Sequence, residues 1–268
     1  MCSNMGGRAA PASIPAAPAV TQQPAPQPAP AATPAPAAAQ PQTRSLPQAR
    51  TITQADVAGL QRQMGQTGYE AGDPNAAPQN KVYVKTSKSY NINAYLRSDG
   101  RSVHVPNGRS QWEHYGYTNR DAARAVRQID AGMKPLPDNF KLTRFVGGDA
   151  LGAMLGNPAI TAANVGRIIQ SIKNTQAGKA RFAAALARAS YTEKGYTSTT
   201  YLQTHPSFDT YAIRLNIVGK KGTKAIMTAN HAENEVLLGR NAKYDFTGGF
   251  RVERTPKGVD QLVIDVVI

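Results

Sequence analysis

The sequence predicts an α+β fold, a largely antiparallel sheet packed by a helical layer from the N-terminal part of the chain. Three observations lead there. Apolar residues recur at helical spacing in segments up to about residue 190, apolar and polar residues alternate in short runs after Gly195, and "TPKG" sets a turn between the last two of those runs. Helices first and strands afterwards is the α+β pattern, since alternating β and α elements would be needed for a parallel sheet.

Residues 1–50 hold eleven of the nineteen prolines and no acidic residue. Such a segment cannot bury enough apolar surface to offset its ordering entropy, so it reads as a disordered tail. "TITQADVAGLQRQMG" reads as a short helix with Thr53 as N-cap and its end near Gly65, followed by a linker that completes a region from 51 to 80. Residues 81–268 form the densely patterned domain. There "TSKSYNINAYLRSDG" offers Ser87 or Ser89 as a cap, Ile92, Tyr95 and Leu96 at i, i+3, i+4, and a stop at Gly100. "YTNRDAARAVRQIDAGM" opens on Thr118 with Asp121 three residues later, a capping box, and runs on Ala122, Val126 and Ile129 to Gly132. "NFKLTRFVGG" alternates as a strand ending in two glycines, and "TAANVGRIIQSIKNTQAGKARFAAALARA" reads as helical on both sides of Gly178. "GYTSTTYL", "DTYAIRLNIVG", "TKAIMTAN", "NEVLLGRNAKYDFTGG" and "FRVERTPKGVDQLVIDVVI" follow as strands, with Pro256 and Gly258 suited to the turn inside the last.

The chain's 31 Lys plus Arg against 17 Asp plus Glu give a formal charge of +14, an attraction to any polyanion, from nucleic acid or an anionic membrane face to a dinucleotide. An aromatic fraction of 7% argues against a nucleic-acid module, which would interleave aromatics with its basic groups. No run of eighteen apolar residues predicts a membrane span, and the N-terminus lacks the basic start and apolar stretch of a secretory signal. An acid-free leader of this kind is compatible with injection into a target cell. Cys2, the only cysteine, excludes an internal disulfide and a Cys-based zinc site, and the four histidines show no metal-ligand spacing.

"HAENEVLLG" puts Glu233 and Glu235 one residue apart in a chain with six glutamates. A strand begins at Glu235, the preceding "MTANHA" reads as a turn, and carboxylates at i and i+2 of an extended segment share a side. "GYTSTTY" gathers Ser198, Thr199 and Thr200 on a strand, and "TRFVGG" puts Arg144, with Phe145 beside it, at the end of an apolar strand. Gly147 and Gly148 there would let a ligand approach the backbone. Singly, each stretch has a plain alternative: a solvated strand edge, threonines chosen as strand formers, an arginine reaching water.

Together and in this order, an Arg at a strand end, S-T-T after an aromatic and E-x-E before an apolar strand resemble the mono-ADP-ribosyltransferases of the Arg-Ser-Glu class, the family of bacterial actin-modifying binary toxins and related effectors. "YNINAYLR" is similar to that family's helix with an aromatic, then "IN", then "LR", and the resemblance covers roughly residues 81–268. It implies an ADP-ribosyltransferase-like mixed sandwich of two mainly antiparallel sheets with an N-terminal helical layer, NAD as substrate, no metal, and a target protein as partner. It makes Arg144 the grip on an NAD phosphate, with Phe145 in the same site. Ser198 would orient Glu235 and help hold the ribose, Thr199 takes the middle position, and Thr200 keeps a hydroxyl in the third. Glu235 takes the catalytic place. Glu233 takes the first place of E-x-E, which in this family is glutamate in enzymes that modify arginine. Tyr90 and Asn93 would line the NAD cleft and Phe208 would cover the nicotinamide. The loop "LQTHPSFD" lacks the second arginine of many relatives, Arg214 lies in the next strand, and His231 sits where relatives recognise the protein substrate.

The chemistry suits those residue types. Breaking the nicotinamide-ribose bond develops an oxocarbenium-like cation that a carboxylate stabilises, and a second carboxylate can orient an acceptor guanidinium and take its proton. The rivals are an NAD glycohydrolase with the same site, and a basic nucleic-acid-binding module without catalysis.

Overall fold

The computed structural model describes residues 43–64, 88–105, 116–228 and 233–268. The folded body begins well before residue 81. Helix α1 (Gln54–Gln63) starts at a capping box, Thr53 donating through its amide and hydroxyl to the Asp56 carboxylate. Ile52, Val57, Leu60 and Met64 are buried in the main core. Upstream, the Arg44 amide donates to the Thr247 carbonyl and Arg50 bridges to Phe140. An apolar helix face and main-chain pairing fasten residues 44–64 to the sheet, and the expected boundary at 81 lies outside the described residues.

Helix α2 (Ser89–Arg97) is preceded by Lys88, so Ser89 is its first residue and not its cap, while Ser87 and the Gly65 terminator lie outside the described residues. Helix α3 (Asn119–Gly132) has the expected cap, with the Asp121 amide donating to the Thr118 hydroxyl at 3.2 Å. Ile92 of α2 and Ala125, Val126 and Ile129 of α3 meet Tyr196, Ile226 and Leu237 in a small second core.

Among the described residues nine strands follow: β1 (Lys134–Pro135), β2 (Phe140–Val146), β3 (Tyr191–Glu193), β4 (Thr197–Thr200), β5 (Ile213–Gly219), β6 (Lys224–Met227), β7 (Glu235–Leu238), β8 (Ala242–Arg254) and β9 (Asp260–Val267). Their hydrogen-bonded order is β1-β6-β7-β4-β2-β5-β9-β8-β3, and of these strand pairs only β5 and β9 run parallel. β2 and β4 meet at the single pair Thr143–Thr200, which divides the series into β1-β6-β7-β4 and β2-β5-β9-β8-β3. Hydrogen bonding runs through that one pair, so the nine strands form a single, mainly antiparallel sheet with a narrow joint between two halves, in a mixed α+β fold consistent with the expected sandwich. Leu262, Val263, Ile264 and Val266 of β9 are fully buried between β5 and β8, as a continuous apolar run requires.

Helices α4 (Gly148–Met154), α5 (Val165–Asn174) and α6 (Gln176–Arg188) lie between β2 and β3 in the chain, and Phe182 of α6 meets Phe250 of β8 edge-on at 5.0 Å. The glycine pair after β2 opens α4 and leaves no gap for a ligand at Gly148: a Cβ there would lie 2.3 Å from the Thr161 carbonyl oxygen. Gly178 is likewise a packing glycine. The helix break falls at Thr175, whose hydroxyl accepts from the Gly178 amide, and a Cβ on Gly178 would lie 2.2 Å from the Ser171 carbonyl oxygen. Gly178→Ala is expected to force α5 and α6 apart and lower stability by about 1–3 kcal/mol in urea unfolding.

Two strand boundaries differ from the sequence pattern. "NEVLLGRNAKYDFTGG" is divided at Asn241, which turns the chain at φ 62°, and β8 then continues through Gly248 and Gly249 with a register shift between Phe246 and Phe250. The shift absorbs the two glycines as a bulge, where alternation alone marks a strand end.

Candidate active site

Glu235 opens β7 opposite Thr200 of β4 and is 3% exposed. Both its oxygens are held: the Ser198 hydroxyl donates to Oε1 at 2.5 Å and the Thr228 hydroxyl to Oε2 at 2.8 Å. Burial pushes the Glu235 carboxyl up to about 7, against the lowering effect of these two hydrogen bonds and with added repulsion from Glu233. The site thus keeps a carboxylate that is costly to ionise and aimed by two hydroxyls.

The relation between the two acids is not that of an extended strand. Asn234 has φ 50°, so the chain turns between Glu233 and Glu235, and strand alternation does not place Glu233. Glu233 is half-buried, its carboxyl raised by burial and lowered by nearby His205. His231, expected beside them, lies outside the described residues.

Alternation does sort the hydroxyls of β4. Thr199 is buried, and its hydroxyl donates to the Val236 carbonyl at 2.5 Å, fastening β4 to β7. It therefore lies on the side of β4 opposite Ser198. The Thr200 hydroxyl accepts from the Leu202 amide at 3.1 Å.

Arg144 of β2 is largely buried, donating to the Tyr244 hydroxyl at 2.7 Å and lying 3.8 Å from Glu193. Arg97 of α2 grips the same Glu193 with two hydrogen bonds of 2.9 Å. Glu193 is 1% exposed and also accepts from the Tyr191 hydroxyl and the Gly195 amide, each at 3.0 Å. Burial works to raise the Glu193 carboxyl, yet hydrogen bonds and charge from Arg97, with the charge of Arg144, hold it below its ordinary value. Two guanidinium groups are thereby gathered on one internal anion, with Arg97 half open to solvent. The Tyr244 hydroxyl that receives Arg144 lies 3.2 Å from the hydroxyl of Thr197, which alternation puts with Thr199 on the side of β4 opposite Ser198.

Glu193 carries no signal of its own in the sequence, and Arg97, the arginine that ends "YNINAYLR", is marked only as part of that motif. Tyr90, Asn93 and Arg97 fall at i, i+3, i+7, one stripe of α2. Asn93 on that stripe accepts from the Tyr196 amide at 2.8 Å and so splices α2 to the start of β4. Tyr90 is half-buried on the same stripe.

Phe145 and Arg214 are directly opposite in the β2–β5 ladder, so both project from the face opposite Arg144. Arg214 is held there by Glu253 at 2.5 Å, which leaves Arg97 and not Arg214 as the second arginine beside Arg144. Phe145 stacks on Phe208 at 5.3 Å, and Phe208 in turn lies 4.7 Å from the His205 ring, so the loop after β4 is anchored by aromatic contacts. Among the described residues no group of three or more His, Cys, Asp or Glu is placed to hold a metal ion, and no helix is long and apolar enough to cross a membrane.

The α+β fold is shared with solved bacterial proteins, an ADP-ribosyltransferase among them. C3stau2 from S. aureus, solved with NAD, superposes with a TM-score of 0.55 at 22% identity, covering 82% of this chain and 98% of that one. For an ADP-ribosyltransferase from Clostridium botulinum, solved in a triclinic form, the values are 0.52, 20%, 83% and 99%. BECa, an ADP-ribosylating toxin of a C. perfringens binary enterotoxin solved with NADH, gives 0.51, 17%, 70% and 42%. The chain belongs to the ADP-ribosyltransferase exoenzyme family, whose description matches residues 65–268. No curated protein matches it in sequence.

Proposed function

We propose that this ADP-ribosyltransferase splits NAD and transfers ADP-ribose to an arginine side chain of a target protein, acting as a toxin or effector. The observation that carries the reading is the Glu235 carboxylate, buried and held by Ser198 and Thr228, with a second glutamate one turn away. In the proposed reaction the bond from ribose C1′ to the nicotinamide nitrogen breaks, and its electron pair leaves with neutral nicotinamide. Glu235 stabilises the sugar cation that develops. A guanidino nitrogen of the acceptor then bonds to C1′, and its proton passes to Glu233. Arg97 and Arg144, already gathered around Glu193, supply the planar donors that suit a diphosphate. Phe208 on its aromatic anchor would border the nicotinamide, and Tyr90 and Asn93 the cleft wall.

Nicotinamide release from NAD, followed with and without agmatine, tests the reading. Acceleration by agmatine with formation of ADP-ribosylagmatine supports transfer to arginine, and release that ignores agmatine leaves a glycohydrolase or another acceptor.

The pH dependence follows from the same carboxylate. Glu235 must be ionised to face the sugar cation, so kcat/KM for NAD hydrolysis is expected to fall as pH drops below about 7. The Thr228 hydrogen bond favours the ionised form, so Thr228→Val is expected to move this acid limb to higher pH. A pH–rate profile of the two proteins measures both effects.

A further inference from the structure

We propose that Tyr201 and Asn234 form a positioning pair that sets Glu233 against Glu235, and thereby decides how much cleaved ADP-ribose reaches an acceptor instead of water. The proposal rests on the transfer reading above and adds two residues to it. Asn234 is the middle residue of E-x-E, and its φ of 50° lies in the left-handed region that asparagine adopts more readily than most residues. That turn is tied down at two points. The Tyr201 hydroxyl donates to Asn234 Oδ1 at 2.6 Å, and the Tyr201 amide donates to the Asn234 carbonyl at 3.2 Å.

Tyr201 is itself buried, 5% exposed, and directly follows β4. The segment from Ser198 to Tyr201 therefore grips Glu235 at one end and the turn bearing Glu233 at the other. Glu235 has independent support, since Thr228 holds its carboxylate and the Thr228 amide donates to its carbonyl at 3.0 Å. Releasing Asn234 should consequently shift Glu233 and leave Glu235 in place. Water and acceptor compete for the same sugar cation. Water needs no orientation by Glu233, whereas a guanidino group displaced by about 1 Å can lose on the order of 10²-fold in rate.

Tyr201→Phe removes the phenol oxygen and keeps the packed ring. Nicotinamide release without acceptor is expected to stay within about 2-fold of wild type, while transfer to agmatine falls about 10-fold or more with a raised KM for agmatine. Asn234→Gly keeps the turn and removes the side-chain acceptor, so it should reproduce this split. The double variant should be no worse than either single one, as for two halves of one contact. Transfer at the wild-type rate in Tyr201→Phe, equal loss of hydrolysis and transfer, or additive effects in the double variant would each overturn the pair. If the wild-type enzyme ignores agmatine, it is the arginine reading that fails. The pair is then judged by labelled ADP-ribose incorporated into lysate protein per nicotinamide released. A fall of that ratio in Tyr201→Phe supports the pair; an unchanged ratio, or no incorporation by wild type, overturns it.

Discussion

Glu235→Gln is expected to abolish nicotinamide release both with and without an acceptor, each by about 10³-fold, because an amide of the same shape brings no charge to the developing sugar cation. Loss of folding is distinguishable from loss of chemistry. Glu235 has its carboxyl raised by burial, so the stability it contributes is fully present below its ordinary value of 4.5 and is lost as pH rises through about 7. Above that pH the wild-type protein carries a buried charge that the glutamine variant lacks. Glu235→Gln should therefore melt no lower than wild type at about pH 8, measured by circular dichroism, while its turnover is gone.

Glu233→Gln is expected to divide the two activities. Hydrolysis of NAD should persist within about 3-fold, and transfer to agmatine should fall by about 10²-fold, the range of a lost general base. A side effect has a defined sign. Glu233 pushes the Glu235 carboxyl upward, so its neutral replacement should move the acid limb of hydrolysis to lower pH. Parallel measurement of nicotinamide and ADP-ribosylagmatine reports both. Equal loss of hydrolysis and transfer would contradict separate roles for the two acids.

Much of the architecture was legible because its causes are local. The Thr53–Asp56 and Thr118–Asp121 boxes each act across four residues, and the periods of α3 and β9 follow from residues that are neighbours in the chain. Legibility ended where a local pattern has two structural meanings. The alternation that suggested one side for Glu233 and Glu235 is cancelled by a single left-handed residue, Asn234. Glycines at 148 and 178 read as a ligand approach and a helix break, yet both are points where another segment's carbonyl comes too close for a Cβ. Residues 44–50 read as tail, and the helix from Gln54 as an appendage, because their partners on β2 and β8 are far along the chain.

The sequence by itself determined the kinds and order of the reactive residues: the strand-end Arg144, the Ser198 hydroxyl strand and the E-x-E ahead of an apolar strand. Only the tertiary structure decided what each of them faces. Ser198 meets Glu235 across 37 positions, Arg97 meets Glu193 across 96 and Arg144 meets Tyr244 across 100. No periodicity of a few residues can specify such pairs. The raised Glu235 carboxyl is likewise a property of enclosure. Desolvation is set by every atom that displaces water around the group, and those atoms come from strands that become neighbours only when the chain has folded.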